Sequence, residues 1–280
     1  MERQEISASI RPFIKWPGSK YRVLNFILAK LPKGEVLIEP FVGSGAIFLN
    51  TNYENYILSD ANKDIIILYQ TLQQYGDEFI GFCRKFFTTK NNTSSQYYKF
   101  REQFNENNFE KDPFTKAALF LYLNRHGYNG LCRYNKSNKF NVPFGRYKYP
   151  HFPAESMRLF FFKTKRAQFF FRDFKESLRK ISLSNAVVYC DPPYVPLSTT
   201  ANFTSYQAAG FNEDHQLTLA KMAMNLSKKG IPVLISNHFT MFTKKIYNKA
   251  TELSTFSVRR MISCKAENRN YVTEILALFK

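Results

Sequence analysis

The sequence lacks the marks of several protein classes. Its four cysteines, Cys83, Cys132, Cys190 and Cys264, stand far apart and form no CxxC pair. That spacing argues against both a structural zinc site and a disulfide framework. They read as reduced, mostly buried thiols of a cytoplasmic protein. The histidines, His126, His151, His215 and His238, do not cluster, so no metal site is assigned. No apolar run approaches the roughly 18 residues that a membrane helix needs. The stretch 1–11 is too polar for a secretory signal. There is no internal repeat and no low-complexity block.

Acidic residues are also scarce. Lys and Arg number 40 against 22 Asp and Glu, a formal charge of +18. Such an excess attracts polyanions. Nucleic acid is the leading partner, because neutralised phosphates release counterions. An anionic membrane surface is the rival, although no basic amphipathic helix is evident. Aromatic residues are abundant, with 29 Phe and 17 Tyr, more than a core alone would need. A chain of 280 residues accommodates one large domain or one domain with an insertion.

Apolar runs and turn residues give a coarse order of elements. Val36-Leu37-Ile38-Glu39 follows the turn Pro32-Lys33-Gly34 and reads as a first strand. A helix-like run, Ala46-Ile47-Phe48-Leu49, comes next, then a strand at 56–59 that ends at Asp60. A helical pattern covers 62–75. From 76 to 150 the texture turns aromatic and basic, with helices near 95–104 and 113–123 and a glycine-containing, hairpin-like stretch over 124–149. Strands resume at 168–171, 186–190 and 233–236, and the chain closes with a strand pair at 256–264 and 272–279. Alternating strands and helices predict an α/β fold with a mostly parallel sheet.

Two clusters suggest a nucleoside pocket. Phe41-Val42-Gly43-Ser44-Gly45 lies between a strand and a helix, where glycine lets a ligand approach the backbone. Asp60 ends the next strand, where a carboxylate can accept both hydroxyls of a ribose. The third glycine of the dinucleotide fingerprint is missing, which favours a nucleoside without a pyrophosphate. Lys15-Trp16-Pro17-Gly18-Ser19-Lys20 adds an indole face able to cover a purine or a sulfonium, and a lysine able to hold a carboxylate. Taken alone, each cluster is equally compatible with a tight turn or a solvated basic face.

The most informative word is Asp191-Pro192-Pro193-Tyr194, delivered by the apolar run Val187-Val188-Tyr189-Cys190. Ligands bind at the carboxyl edge of such sheets. The amine of a nucleobase is a poor nucleophile because its lone pair is conjugated with the ring. Acceptors that hold its hydrogens draw the nitrogen towards tetrahedral geometry. Asp191 offers one acceptor and the Pro192 carbonyl another. The prolines have no N–H and a fixed φ, so the carbonyl is aimed. Tyr194 offers a face for an extruded base. The word serves adenine, cytosine and glutamine amines alike, so it names a reaction class before it names a substrate.

These words, together with 122–135 (YLNRHGYNGLCRYN) and 140–147 (FNVPFGRY), resemble the Dam family of DNA adenine-N6 methyltransferases, the D12 class with the α-group motif order. The likeness runs from about Phe13 to Phe279. It implies a Rossmann-like S-adenosylmethionine (AdoMet) methyltransferase sheet with a C-terminal antiparallel hairpin. It also implies an inserted, mainly helical target-recognition subdomain with a β-hairpin. The expected division is a catalytic part over 1–62, a recognition insert over 63–150 with a DNA-reading hairpin near 127–148, and a second catalytic part over 151–280.

The same likeness implies AdoMet contacts at Trp16, Lys20, Phe41, Gly43, Gly45, Asp60 and Asp191, and catalysis at Asp191, Pro192, Pro193 and Tyr194. DNA contacts are implied at Lys15, Tyr128, Asn129, Leu131, Arg133, Pro143 and Tyr147. Arg133 has the geometry for a bidentate guanine contact, and Lys136, Lys139, Arg146 and Lys148 suit phosphates. Pro17 and Ser19 stand where relatives often carry Ala and Gly. The expected substrate is adenine N6 in duplex GATC, reached by base flipping, and a monomer in the cytoplasm, associated with the nucleoid, is expected. A cytosine-N4 or RNA amine methyltransferase, or a DNA-binding protein with a vestigial pocket, remain as alternatives. Two further expectations are a polar loop over 198–205 that orders above the flipped base, and phosphate contacts from Arg259, Arg260, Lys265 and Arg269.

Overall fold

The computed structural model describes residues 9–106, 112–179, 181, 183, 185–196, 210–259 and 271–280. In chain order the main elements are α1 (Leu24–Leu28), β1 (Val36–Glu39), α2 (Ala46–Asn50), β2 (Asn55–Asp60), α3 (Lys63–Arg84), α4 (Ser94–Glu106), α5 (Pro113–His126), α6 (Ala154–Thr164), β3 (Ala167–Phe171), α7 (Phe174–Arg179), β4 (Ala186–Cys190), α8 (Glu213–Ser227), β5 (Val233–His238), α9 (Met241–Ile246), β6 (Glu252–Arg259) and β7 (Tyr271–Phe279). The chain divides into two compact units. One comprises Met1–Arg22, Val42–Asn52 and Asp60–Phe171, the other Val23–Phe41, Tyr53–Ser59 and Arg172–Lys280.

The first unit is helical, with an aromatic interior. Asn62 caps α3 by accepting from the Ile65 N–H at 3.1 Å. Gly76 breaks the helical path at φ 48°, ψ −123°, and a Cβ there would meet the Phe161 ring at 2.6 Å. Glycine thus lets an α6 ring into the bend. Asp112 caps α5 through Thr115, and Pro113 opens it. The run from Ala117 to Leu123 is buried on every side, so α5 forms the axis of this unit. Phe13, Tyr69 and Phe160 meet with ring centroids 4.6–5.8 Å apart. Tyr97 and Tyr122 lead a second ring cluster. Much of the aromatic surplus is therefore core.

The second unit holds six of the seven strands, in the order β2-β1-β4-β5-β7-β6. Pairs β1–β2, β1–β4 and β4–β5 are parallel. Pairs β5–β7 and β7–β6 are antiparallel, which realises the expected closing hairpin. The strand order reverses between β1 and β4, so their carboxyl ends form a topological switch point. Every residue of β4 is buried, as a central parallel strand requires. Ile38, Val188, Leu219, Val233, Ile235, Tyr247 and Ile275 are among the apolar side chains that close the core around this sheet.

β6 starts at Glu252, four residues before the expected 256. It is an edge strand with alternating exposure, and Leu253 is 41% exposed, so its first half has no apolar signal. Helix α5 continues through His126, beyond the expected 123. Over 127–148 the expected β-hairpin is reduced to two isolated bridges, Gly127 with Phe144 and Tyr134 with Phe140, and a short 3-10 turn at Tyr128–Gly130. Three residues of left-handed φ, Asn129, Asn138 and Arg146, bend that loop too sharply for a ladder. Among the described residues no helix is long and apolar enough to cross a membrane.

Candidate active site and nucleic-acid interface

In the first unit the two glycine-bearing loops are stitched together. Asp60 Oδ2 accepts from the Gly43 N–H at 2.9 Å, and Oδ1 accepts from the Asn62 N–H at 2.9 Å. Tyr69 donates to the Gly43 carbonyl at 2.6 Å. Ser19 and Ser44 hydroxyls lie 2.8 Å apart. A Cβ on Gly43 would stand 3.0 Å from the Trp16 indole, so only glycine lets the indole lie so close. Gly43 and Gly45 both have left-handed φ, 45° and 70°. Lys20 is nearly buried and donates to the Gly18 carbonyl at 2.7 Å. Trp16, Lys20, Gly43, Gly45 and Asp60 thus belong to one assembly of this unit.

That assembly suits a ribose. A carboxylate has about four acceptor positions, and the three main-chain donors of Gly43, Asn62 and Ala61 leave a position for a ribose hydroxyl. Burial pushes the Asp60 carboxyl up to about 6, although the N–H groups of Asn62, Gly43 and Ala61 pull it down. Phe41 belongs to the second unit, where it stacks on Phe174 at 5.5 Å and meets Phe211 edge-on at 5.7 Å.

The residues expected to contact DNA form a second assembly in the first unit. Asn124 clamps the main chain of Lys15, accepting its N–H at 2.9 Å and donating to its carbonyl at 2.6 Å. The Lys15 amine lies 4.1 Å from the centroid of Tyr147. Burial, with Arg125 and Arg11 adding, lowers its pKa to about 8. The Tyr147 hydroxyl accepts from the Asn129 N–H at 2.9 Å. Tyr128 N–H donates to the Pro143 carbonyl at 2.9 Å and leaves its ring 51% exposed. Leu131 closes the 3-10 turn onto the Tyr128 carbonyl. Gly130 packs so tightly on Lys15 that a Cβ would come within 2.3 Å of the lysine stem. Lys136, Lys139, Arg146 and Lys148 are exposed.

Arg133 is held from two sides by Asn141. Its Nε donates to the side-chain oxygen at 2.7 Å and Nη2 to the main-chain carbonyl at 3.1 Å. Beneath the loop runs a chain of polar contacts that sequence reasoning missed. Asn62 Nδ2 lies 3.6 Å from Cys132 Sγ, which lies 3.7 Å from the Tyr134 hydroxyl, which in turn donates to Asp64. Cys132 is therefore a polar contact rather than inert filling; Cys83 and Cys190 are buried as expected. The loop over 198–205, and Arg260, Lys265 and Arg269 with the side chain of Arg259, lie outside the described residues.

In the second unit Asp191 follows β4 at the switch point. Ser236 of β5 donates to Asp191 Oδ1 at 3.1 Å, and the Tyr189 hydroxyl stands 3.0 Å from the same serine. Gln216 of α8 donates to the Pro193 carbonyl at 2.8 Å. Asn237 accepts from the Val195 N–H at 3.1 Å, and its amide donates to Gln216 at 3.0 Å and to Tyr247 at 3.1 Å. The Tyr194 hydroxyl donates to Glu274 Oε2 at 2.8 Å. Burial, with Asp191 and Glu274 nearby, pushes the Tyr194 hydroxyl well above its ordinary pKa, so it remains a donor. Ser236, Asn237, Gln216 and Glu274 were not identified from sequence. The available signal was polar Ser236-Asn237-His238 at the carboxyl end of the apolar run Val233-Leu234-Ile235.

A carboxylate and its loop at the switch point of such a sheet lie where open α/β sheets bind their ligands. Residues 16–262 match the family described as D12 class N6 adenine-specific DNA methyltransferase. The DNA adenine methylase of Escherichia coli K12 is 49% identical over 270 residues, covering 96% of this chain and 95% of that one. The Salmonella typhi DNA adenine methylase is 48% identical at the same coverage. That of Vibrio cholerae O395 is 45% identical, covering 96% of each chain. The chain therefore belongs to the D12 class of N6-adenine-specific DNA methyltransferases. It is an enzyme that methylates adenine in DNA with S-adenosylmethionine as the donor, as its class does.

Proposed function

We propose that the enzyme methylates the adenine of duplex GATC after flipping it out of the helix, and that it acts as a monomer at the nucleoid. In this reading 1–62 and 151–280 form the catalytic parts and 63–150 the recognition insert. The observation that supports it most is the loop after β4. Asp191 stands at the switch point, and its neighbours' main-chain groups are bound by Gln216 and Asn237. Such a loop offers fixed acceptors to an amine, and fixed acceptors need no reorganisation as charge develops.

S-adenosylmethionine supplies the methyl group. Asp60 would accept the ribose hydroxyls, Trp16 would cover the base or sulfonium, and Lys20 would serve the carboxylate end. Phe41, Gly43 and Gly45 shape the adenosine side. Asp191 and the Pro192 carbonyl hold the two hydrogens of adenine N6, Pro193 fixes the loop, and Tyr194 stacks on the extruded base. On taking the methyl group, N6 would give up one proton, which the Asp191 carboxylate would accept. Arg133 reads a guanine and Lys15 the first base pair. Tyr128, Asn129, Leu131, Pro143 and Tyr147 act around the target.

Incubation with labelled AdoMet and GATC or GTTC duplexes, followed by nucleoside analysis, tests this. N6-methyladenine in GATC alone is the expected product. N4-methylcytosine, or equal labelling of both duplexes, would overturn the specificity. No product at all would return the vestigial-pocket reading.

A further inference from the structure

The acceptors of the Asp191–Tyr194 loop have been described, but one side chain bound to that loop lies far away in the sequence. Glu274 belongs to β7 and faces His238 of β5 across the antiparallel pair. Directly opposed residues on neighbouring strands project from the same face of the sheet. The two side chains meet Tyr194 from different directions. Glu274 Oε2 accepts the phenol hydrogen at 2.8 Å. The His238 ring meets the tyrosine ring edge-on, with centroids 4.8 Å apart and planes at 71°. His238 is fixed in turn, because its Nδ1 donates to the Val195 carbonyl at 2.8 Å.

We propose that Glu274 is a positioning residue for Tyr194, fixing the ring plane on which the flipped adenine stacks. A ring that carries a stacked base must hold its tilt, and a phenol free to turn about its χ angles would sample many tilts. Hydrogen bonds at the far end of the ring, to Glu274 and with Ser236, combined with an edge contact on its flank, leave little rotation. The buried amides Gln216 and Asn237 fix the main chain on either side of Tyr194. Glu274 and Ser236 supply the restraint at the hydroxyl end, and of the two Glu274 accepts the phenol hydrogen. In this proposal it acts through Tyr194. The inference rests on reading Tyr194 as the stacking surface.

A double-mutant cycle in the full-length enzyme tests it. Glu274→Leu should lower kcat about tenfold and leave AdoMet KM and DNA affinity within about twofold, the signature of lost positioning rather than lost binding. Glu274→Gln keeps an acceptor oxygen and should restore kcat to within about threefold of wild type. Tyr194→Phe keeps the ring and removes the hydroxyl, so adding Glu274→Leu to it should cost no further activity. Emission of 2-aminopurine at the target position should differ between wild type and Glu274→Leu at equal DNA occupancy. Full activity in Glu274→Leu, additive losses in the double variant, or equal loss in the Gln and Leu variants would overturn the proposal. A failure of the functional reading looks different, since the wild-type enzyme itself would then give no N6-methyladenine.

Discussion

The loop after β4 and the loop over 127–148 solve opposite problems. The first is enclosed. Its acceptors follow a fully buried strand, and Ser236, Gln216, Asn237 and Glu274 each bind a part of it, three of them only 0–2% exposed. The second is open. No strand ladder holds it: two isolated bridges, a 3-10 turn and bonds such as those of Arg133 with Asn141 do, while Tyr128 is half exposed and Lys136, Lys139, Arg146 and Lys148 face solvent. Buried polar networks with every partner in place hold one geometry. An exposed loop held by a few bonds can adjust to a groove at small cost. In the proposed reading, chemistry is concentrated where the chain is fixed, and base reading where it is adaptable. Substitutions should act steeply in the first loop and by degrees in the second.

The sharpest break in that comparison is Asp191→Ala. Removing the acceptor should lower methyl transfer about a thousandfold, the scale for a lost preorganised group. DNA affinity, measured by fluorescence anisotropy, should stay near wild type. A parallel fall in affinity would mean that Asp191 carries binding as well as chemistry. In the open loop, Arg133→Ala should relax discrimination at one guanine by about 1–3 kcal/mol. The measurement is kcat/KM on duplexes that differ at that base pair. Equal loss on every sequence would reassign Arg133 to a phosphate.

How much of this could be read beforehand follows from the same contrast. β1 and β4 were placed to the residue, because a buried parallel strand is a short, unbroken apolar run bounded by turn residues. Asp60, Gly43 and the Asp191–Tyr194 word were visible because their chemistry is compressed into a few adjacent letters. The partners that aim them were not. Ser236, Asn237 and Gln216 are ordinary polar residues in a strand and a helix, and only the β4–β5 pairing and the packing of α8 bring them to the loop. Glu274 sits eighty residues beyond Tyr194, on the final strand. Asn141 reaches Arg133 because the loop folds back on itself, a turn that depends on left-handed residues such as Asn138. The helices α6 to α9 were not placed, since their apolar faces are interrupted by charged residues. Long-range supports depend on topology, and topology is weakly written in any single segment.

The mildest prediction sets two titrating groups of the first unit against each other. The raised Asp60 carboxyl, near 6, takes up a proton in a range where an ordinary aspartate stays ionised. Ribose hydroxyls donate to the ionised form, so cofactor affinity should be flat above about pH 6.5. It should weaken by up to about tenfold per unit below 6. Lys15 runs the other way. Its pKa, near 8, leaves it cationic at neutral pH and neutral as pH climbs through 8, so DNA affinity should decline over pH 7.5–9. Titration calorimetry with AdoMet and anisotropy with duplex, both at constant ionic strength, separate the two limbs. Asp60→Asn should flatten the acid limb, and Lys15→Arg should flatten the alkaline one while keeping a cation beside Tyr147. A DNA profile from the wild-type protein that matches Lys15→Arg at every pH would show that Lys15 does not titrate against its duplex contact.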